Sequence, residues 1–233
     1  MTYNKKYIII LLLTLQIGRG YLSNAQPSLP VKIFTKDSSE KAVFDTVFNK
    51  KIPEKFTLQI NTALQYYPTL KHTHIAFVYK KTHTPLAAAP TFWSVFRKKS
   101  KRKYIITISS ESTNFLNKII LDSLNFNAQI GVLGHEISHI LEFEDKKGVF
   151  FMGLVLRYAS KKAIDRFEYN TDKRCIAQGL GYQLLAWSED VRHKLNVTSF
   201  NRSNSSNMMQ RERYMHPQTI KKFMSEMAIY QNN

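Results

Sequence analysis

His135, Glu136 and His139 form the run His135-Glu136-Ile137-Ser138-His139, a spacing that suits metal-assisted hydrolysis. On an α-helix four residues advance about 400°, so side chains at i and i+4 point the same way, one turn apart. Two imidazoles placed in that way can grip one cation at about 2.0–2.1 Å each. Glu136 is rotated to the side, where it can reach a water without being a ligand itself.

Two histidines do not complete a catalytic zinc site, which takes three protein ligands and leaves one position open. Cys175 is the only cysteine, so a thiolate-based zinc site and an intramolecular disulfide are both excluded. The third ligand must be histidine or carboxylate. His72, His74, His83 and His193 have no partner at ligand spacing. Glu168 fits best, because Glu168 and Asp172 again stand at i and i+4. Glu168 would bind the metal, and Asp172 would accept a hydrogen bond from the second ring nitrogen of a histidine ligand. Asp145 is the rival, ten residues after His135 as in metzincin sites, but position 142 is glutamate where that chain turn needs glycine. The expected cofactor is one zinc ion per chain.

The motif needs a helix, and residues 127–143 supply one: Ile130, Leu133, Ile137, Ile140 and Leu141 line a broad face. Asn125 or Asn127 can cap its start. Gly131 and Gly134 would let neighbouring elements come close. Glu168 lies in a second helical stretch, residues 161–178. Gly179 and Gly181 mark a break before a third, residues 182–195, and residues 217–230 read as a last helix with Pro217 in its first turn. The apolar run 148–156 reads as buried helix, and the Ser/Asn-rich stretch 196–207 as a flexible loop. Upstream, Phe56, Ile60, Leu64 and Tyr67 predict a helix over residues 53–67. Residues 74–81 read as a strand and 82–90 as a loop. Residues 91–96 and 104–109 are two more strand candidates. They flank the run Arg97-Lys98-Lys99-Ser100-Lys101-Arg102-Lys103, which suits a solvated hairpin tip. The order predicts an α+β fold, a small sheet beside a helical half that carries the motif helix.

His135-Glu136-x-x-His139 followed by Glu168-x-x-x-Asp172 resembles a gluzincin metallopeptidase. The form Glu168-Tyr169-x-x-Asp172 and the later pair His216-Pro217 resemble the family of CAAX prenyl proteases and heat-shock membrane proteases, over roughly residues 125–222. The resemblance implies a zincin-like fold and hydrolysis of peptide bonds in a peptide or protein substrate. It implies zinc on His135, His139 and Glu168, with Glu136 as general base and His216 as a further catalytic histidine. Where the family has an arginine six residues after that histidine, this chain has Lys222. The family fold also implies a sheet edge holding the peptide extended, with residues 104–109 the candidate strand.

Residues 1–25 carry Lys5 and Lys6, an apolar run, then Ser23-Asn24-Ala25, the order of a secretory signal peptide. Export to a periplasmic, secreted or envelope-associated location is therefore expected. Residues 26–233 would form a single metallopeptidase domain. The chain of 233 residues is 43% hydrophobic and 22% charged, a globular balance. Its net charge of +17 favours anionic membrane or envelope surfaces, with Arg97, Lys98, Lys99, Lys101, Arg102 and Lys103 as the contact. Export and the lack of a recognisable nucleic-acid-binding motif argue against nucleic acid. Two other readings stay open at this point: an inactive metal-binding chaperone or assembly factor, and a basic surface-binding module.

Overall fold

The computed structural model describes residues 29–40, 48–146, 160–196 and 213–231. The expected signal segment, the apolar run 148–156 and most of the polar stretch 196–207 lie outside these. The described residues form a mixed α+β structure, with a four-stranded sheet beside a helical half.

The strands are β1 (Lys50–Lys51), β2 (His74–Lys80), β3 (Leu86–Pro90) and β4 (Lys103–Ser109). Their order is β1-β2-β4-β3, parallel from β1 to β4 and antiparallel between β4 and β3. Tyr104, Ile106 and Ile108 alternate into the core with Ile75 and Phe77 of β2. Two expectations fail here. Residues 104–109 are interior to the sheet, and the edge beside them is β3, in the stretch expected to be a loop. The run Leu86-Ala87-Ala88-Ala89-Pro90 lacks the β-branched and aromatic residues that mark strands. Pairing makes it a strand, with Leu86 opposite Ile108 and Pro90 opposite Tyr104. An edge position is also where proline is tolerated.

Residues 91–96, expected as strand, are instead a 3-10 turn over Phe92–Phe96. The ladder closes where Thr91 N–H donates to Lys103 O at 2.9 Å. Ser94 then curls the chain: its N–H donates to Thr91 O, and its hydroxyl lies 2.9 Å from both Thr91 O and Lys103 O. Residues 91–102 are therefore the closed end of a β3–β4 hairpin.

The helices are α1 (Lys36–Glu40), α2 (Thr57–Leu64), α3 (Phe126–Asp145), α4 (Lys161–Cys175), α5 (Gly181–Lys194) and α6 (Pro217–Glu226). Phe56, Ile60, Leu64 and Tyr67 are all buried, as their spacing predicts. Helix α3 starts where Asn125 Oδ1 accepts Ala128 N–H at 2.9 Å. It packs against α2, α4, α5 and β3 at once, so its polar residues are buried with its apolar ones. Gly131 is what lets α5 come so near, since a Cβ there would stand 2.1 Å from Gln183 O.

Helices α4 and α5 are joined by one wide π-helical turn, Ile176–Leu180, with Gly179 at φ 103°. That left-handed backbone suits glycine. The Tyr230 hydroxyl secures the turn from the far end of the chain, accepting Gly181 N–H at 2.8 Å and donating to Ile176 O at 2.7 Å.

Candidate metal centre

Helix α3 presents His135 and His139 to the same side, and helix α4 brings Glu168 to meet them. Glu168 Oε2 lies 3.1 Å from His135 Nε2 and 3.2 Å from His139 Nε2. A tetrahedral cation with arms of about 2.0–2.1 Å sets its ligand atoms roughly 3.3 Å apart. The two distances to Glu168 therefore fit a small divalent ion, all three ligand atoms lie within 4.8 Å of one another, and all three residues are buried.

The far side of each imidazole fixes its tautomer. His135 Nδ1 lies 2.7 Å from Asp172 Oδ1, so Nδ1 carries the hydrogen and donates. The Thr171 hydroxyl gives its proton to Phe167 O at 3.0 Å. Its oxygen then accepts from His139 Nδ1 at 3.2 Å. Both Nε2 atoms are thus turned to Glu168 and are the ones available to a metal, the orientation that outer hydrogen-bond partners impose on histidine ligands. Asp172 is fully occupied, for its Oδ2 also accepts Met215 N–H at 2.7 Å.

Charge points the same way. Burial presses His135 towards its neutral form, but the carboxylates of Asp172 and Glu168 outweigh that and hold its pKa well above the ordinary range. Burial likewise opposes charge on Glu168, yet hydrogen bonds from His135 and His139 keep its carboxyl below the ordinary range. Glu136 is raised, first by its own burial. Glu136, Glu168 and Asp172 gather acidic groups around two imidazoles in a buried place, which a dication would compensate.

Glu136 stands aside from the ligand trio. It reaches towards β3, whose Ala88 main chain hydrogen-bonds to its carboxylate. The sheet register explains the contact. Thr91 N–H bonds to Lys103 O and Ser109 N–H to Pro85 O, so residues 85, 87, 89 and 91 face β4. The peptide groups of Leu86 and Ala88 then point to the open edge.

Asp145, the rival ligand, is exposed at the end of α3 and pairs with Lys99 at 3.6 Å. His216 caps α6, its Nδ1 accepting Gln218 N–H at 3.3 Å. Two residues not singled out from the sequence enclose the centre. The rings of Trp187 and Tyr214 lie 5.4 and 5.6 Å from that of His135 and 5.5 Å from each other. Burial raises the Tyr214 hydroxyl, and the charges of Glu168, Glu136 and Asp172 add to that. A clue to Tyr214 was its place two residues before the His216-Pro217 pair. Trp187 offered none beyond its place on an amphipathic helix.

No protein-family model, curated protein or solved structure gives a significant match to this chain.

Proposed function

We propose that the protein is a zinc-dependent metalloendopeptidase of the gluzincin type, with a zincin-like arrangement of α3, α4 and the sheet. The observation that carries the reading is the convergence of His135 Nε2, His139 Nε2 and Glu168 Oε2, with Glu136 buried beside them and outside the trio. When bound there, zinc supplies a Lewis acid that polarises a carbonyl and acidifies a water.

The chain's own residues do the rest. Glu136, with its affinity for protons raised by burial, takes a proton from the attacking water and passes it to the leaving amine. Asp172 and Thr171 hold the two imidazoles in register throughout. The open edge of β3 lies beside Glu136 and offers the Leu86 peptide group and the Ala88 carbonyl to an extended substrate strand, by β-augmentation, the Ala88 N–H being held by Glu136. Ala87, Ala88 and Ala89 keep that edge free of bulk. The β3 edge takes the place that residues 104–109 held in the sequence expectation. Tyr214 packs its ring edge to face against that of His135 and helps to hold it in place. His216 keeps the role the resemblance implies, two residues further along the same segment. Export rests on residues 1–25.

Wild type and Glu136→Gln, compared for metal content and for cleavage of an unfolded protein, test the reading. Both are expected to hold one zinc per chain, and only wild type to cleave. Zinc-loaded wild type that leaves every unfolded substrate intact would sink the peptidase and leave a metal-binding assembly factor. A variant as active as wild type would remove Glu136 from the mechanism.

A further inference from the structure

The closed end of the β3–β4 hairpin has a composition that the metal chemistry does not use. Phe92, Trp93 and Phe96 are 71%, 74% and 64% exposed. They stand outward because Ser94 and Val95 of the same 3-10 turn point inward. Phe92 and Trp93 meet edge to face with centroids 5.0 Å apart. Arg97, Lys98, Lys99, Lys101 and Lys103 follow directly, all exposed. Between Glu54 and Glu111 the chain contains no acidic residue.

This end is held firmly. Lys101 N–H donates to Lys98 O at 2.8 Å and Arg102 N–H to Lys99 O at 3.1 Å, making a second tight turn. Arg102 alone of the basic run is buried. Its guanidinium donates to Phe143 O at 3.1 Å and Lys146 O at 2.8 Å, two carbonyls at the end of α3. The solvated tip expected from sequence is thus fastened at its base to the helix that carries the histidines.

We propose that this tip is a docking surface for an anionic lipid bilayer. A row of cations alone would suit any polyanion. Three exposed aromatic side chains beside it favour the boundary between headgroups and acyl chains, where they leave water and where tryptophan and other aromatics concentrate. The cations then meet anionic headgroups, each adding to the attachment. Among the described residues no helix is long and apolar enough to cross a membrane. Residue 92 follows Ala88 by four positions of extended chain, roughly 13 Å. On the peptidase reading, docking would hold the open strand edge close above the bilayer, where juxtamembrane or interface-bound segments become its substrates. The docking itself does not depend on that reading.

The test uses the full chain and vesicles of phosphatidylglycerol with phosphatidylcholine, against phosphatidylcholine alone and against heparin beads. Wild type is expected to sediment with the anionic vesicles. Brominated lipid should quench its tryptophan emission, and Trp93→Phe should abolish that quenching. Neutralising Arg97, Lys98 and Lys101 to serine should weaken partitioning about a hundredfold. Phe92→Ser with Phe96→Ser should weaken it about tenfold while leaving heparin retention unchanged. Glu136→Gln should bind vesicles like wild type, which separates this outcome from the fate of the peptidase. Partitioning indifferent to the aromatic pair, or quenching that persists in Trp93→Phe, would overturn the proposal. Retention on heparin without vesicle binding would do the same and assign the tip to a polymer.

Discussion

Replacing Asp172 by asparagine changes one atom and leaves the shape intact, yet it removes a choice the site depends on. Both Asp172 oxygens accept: Oδ1 from His135 Nδ1–H at 2.7 Å and Oδ2 from Met215 N–H at 2.7 Å. Asparagine has one acceptor and one donor on that fork. With its NH2 turned to Met215, two donors confront each other in a buried place. With its NH2 turned to His135, the imidazole must carry its hydrogen on Nε2, the atom that faces Glu168. A hydrogen bond to a charged group is worth about 1.5–3 kcal/mol. At about 1.4 kcal/mol per decade, the zinc dissociation constant should rise roughly 10–100-fold. Competition with a chromophoric chelator measures it, and circular dichroism checks that the variant is folded. A folded Asp172→Asn with a wild-type dissociation constant would refute the claim that this carboxylate sets the tautomer of His135.

Gly131→Ala should destabilise the protein by about 2–3 kcal/mol or prevent folding, since the new Cβ would meet the Gln183 carbonyl oxygen at 2.1 Å and only backbone movement can relieve it; thermal denaturation reads this out. Zinc uptake should release protons and tighten as pH rises, because the metal displaces the proton that Asp172 and Glu168 hold on His135; calorimetry in two buffers of different ionisation enthalpy detects it. The metal-free protein should behave in the opposite sense. The raised His135 pKa gives stability that is complete below about pH 6.5 and fades above it, while the lowered Glu168 pKa gives stability that is complete above about pH 4.5 and fades below it. Chemical denaturation of the chelated protein across pH 4–9 should therefore show a maximum between those two values. Glu168→Ala should lose zinc, and Asp145→Ala should retain it, as atomic absorption of the purified proteins would show.

The helical half was largely legible because periodicity and capping act locally. Asn125, the apolar face of α3 and the paired i and i+4 positions of α3 and α4 all fall within a few residues of one another. The sheet was less legible. A strand of three alanines ending in proline has no intrinsic signature, and Leu86–Pro90 becomes one only by lying against β4. The aromatic run 91–96 failed in the other direction: its composition favours strand, but the Ser94 hydrogen bonds at the end of the ladder curl it. The ligand trio and Asp172 could be selected because metal coordination restricts residue type and spacing. Tyr214 and Trp187 could not, because ring packing against His135 is a matter of tertiary placement, which leaves no periodic trace.

The hydroxyl of Tyr230 on the α4–α5 turn bears on when the centre becomes complete. Asp172 also waits for the amide of Met215, so two supports for the histidines come from residues made long after them. A growing chain that has reached the end of α5 has every ligand, but its helix break is unpinned and one carboxylate oxygen is unanswered. The helix break and the carboxylate that orients His135 are therefore completed only by Tyr230 and Met215, which follow the trio by many residues.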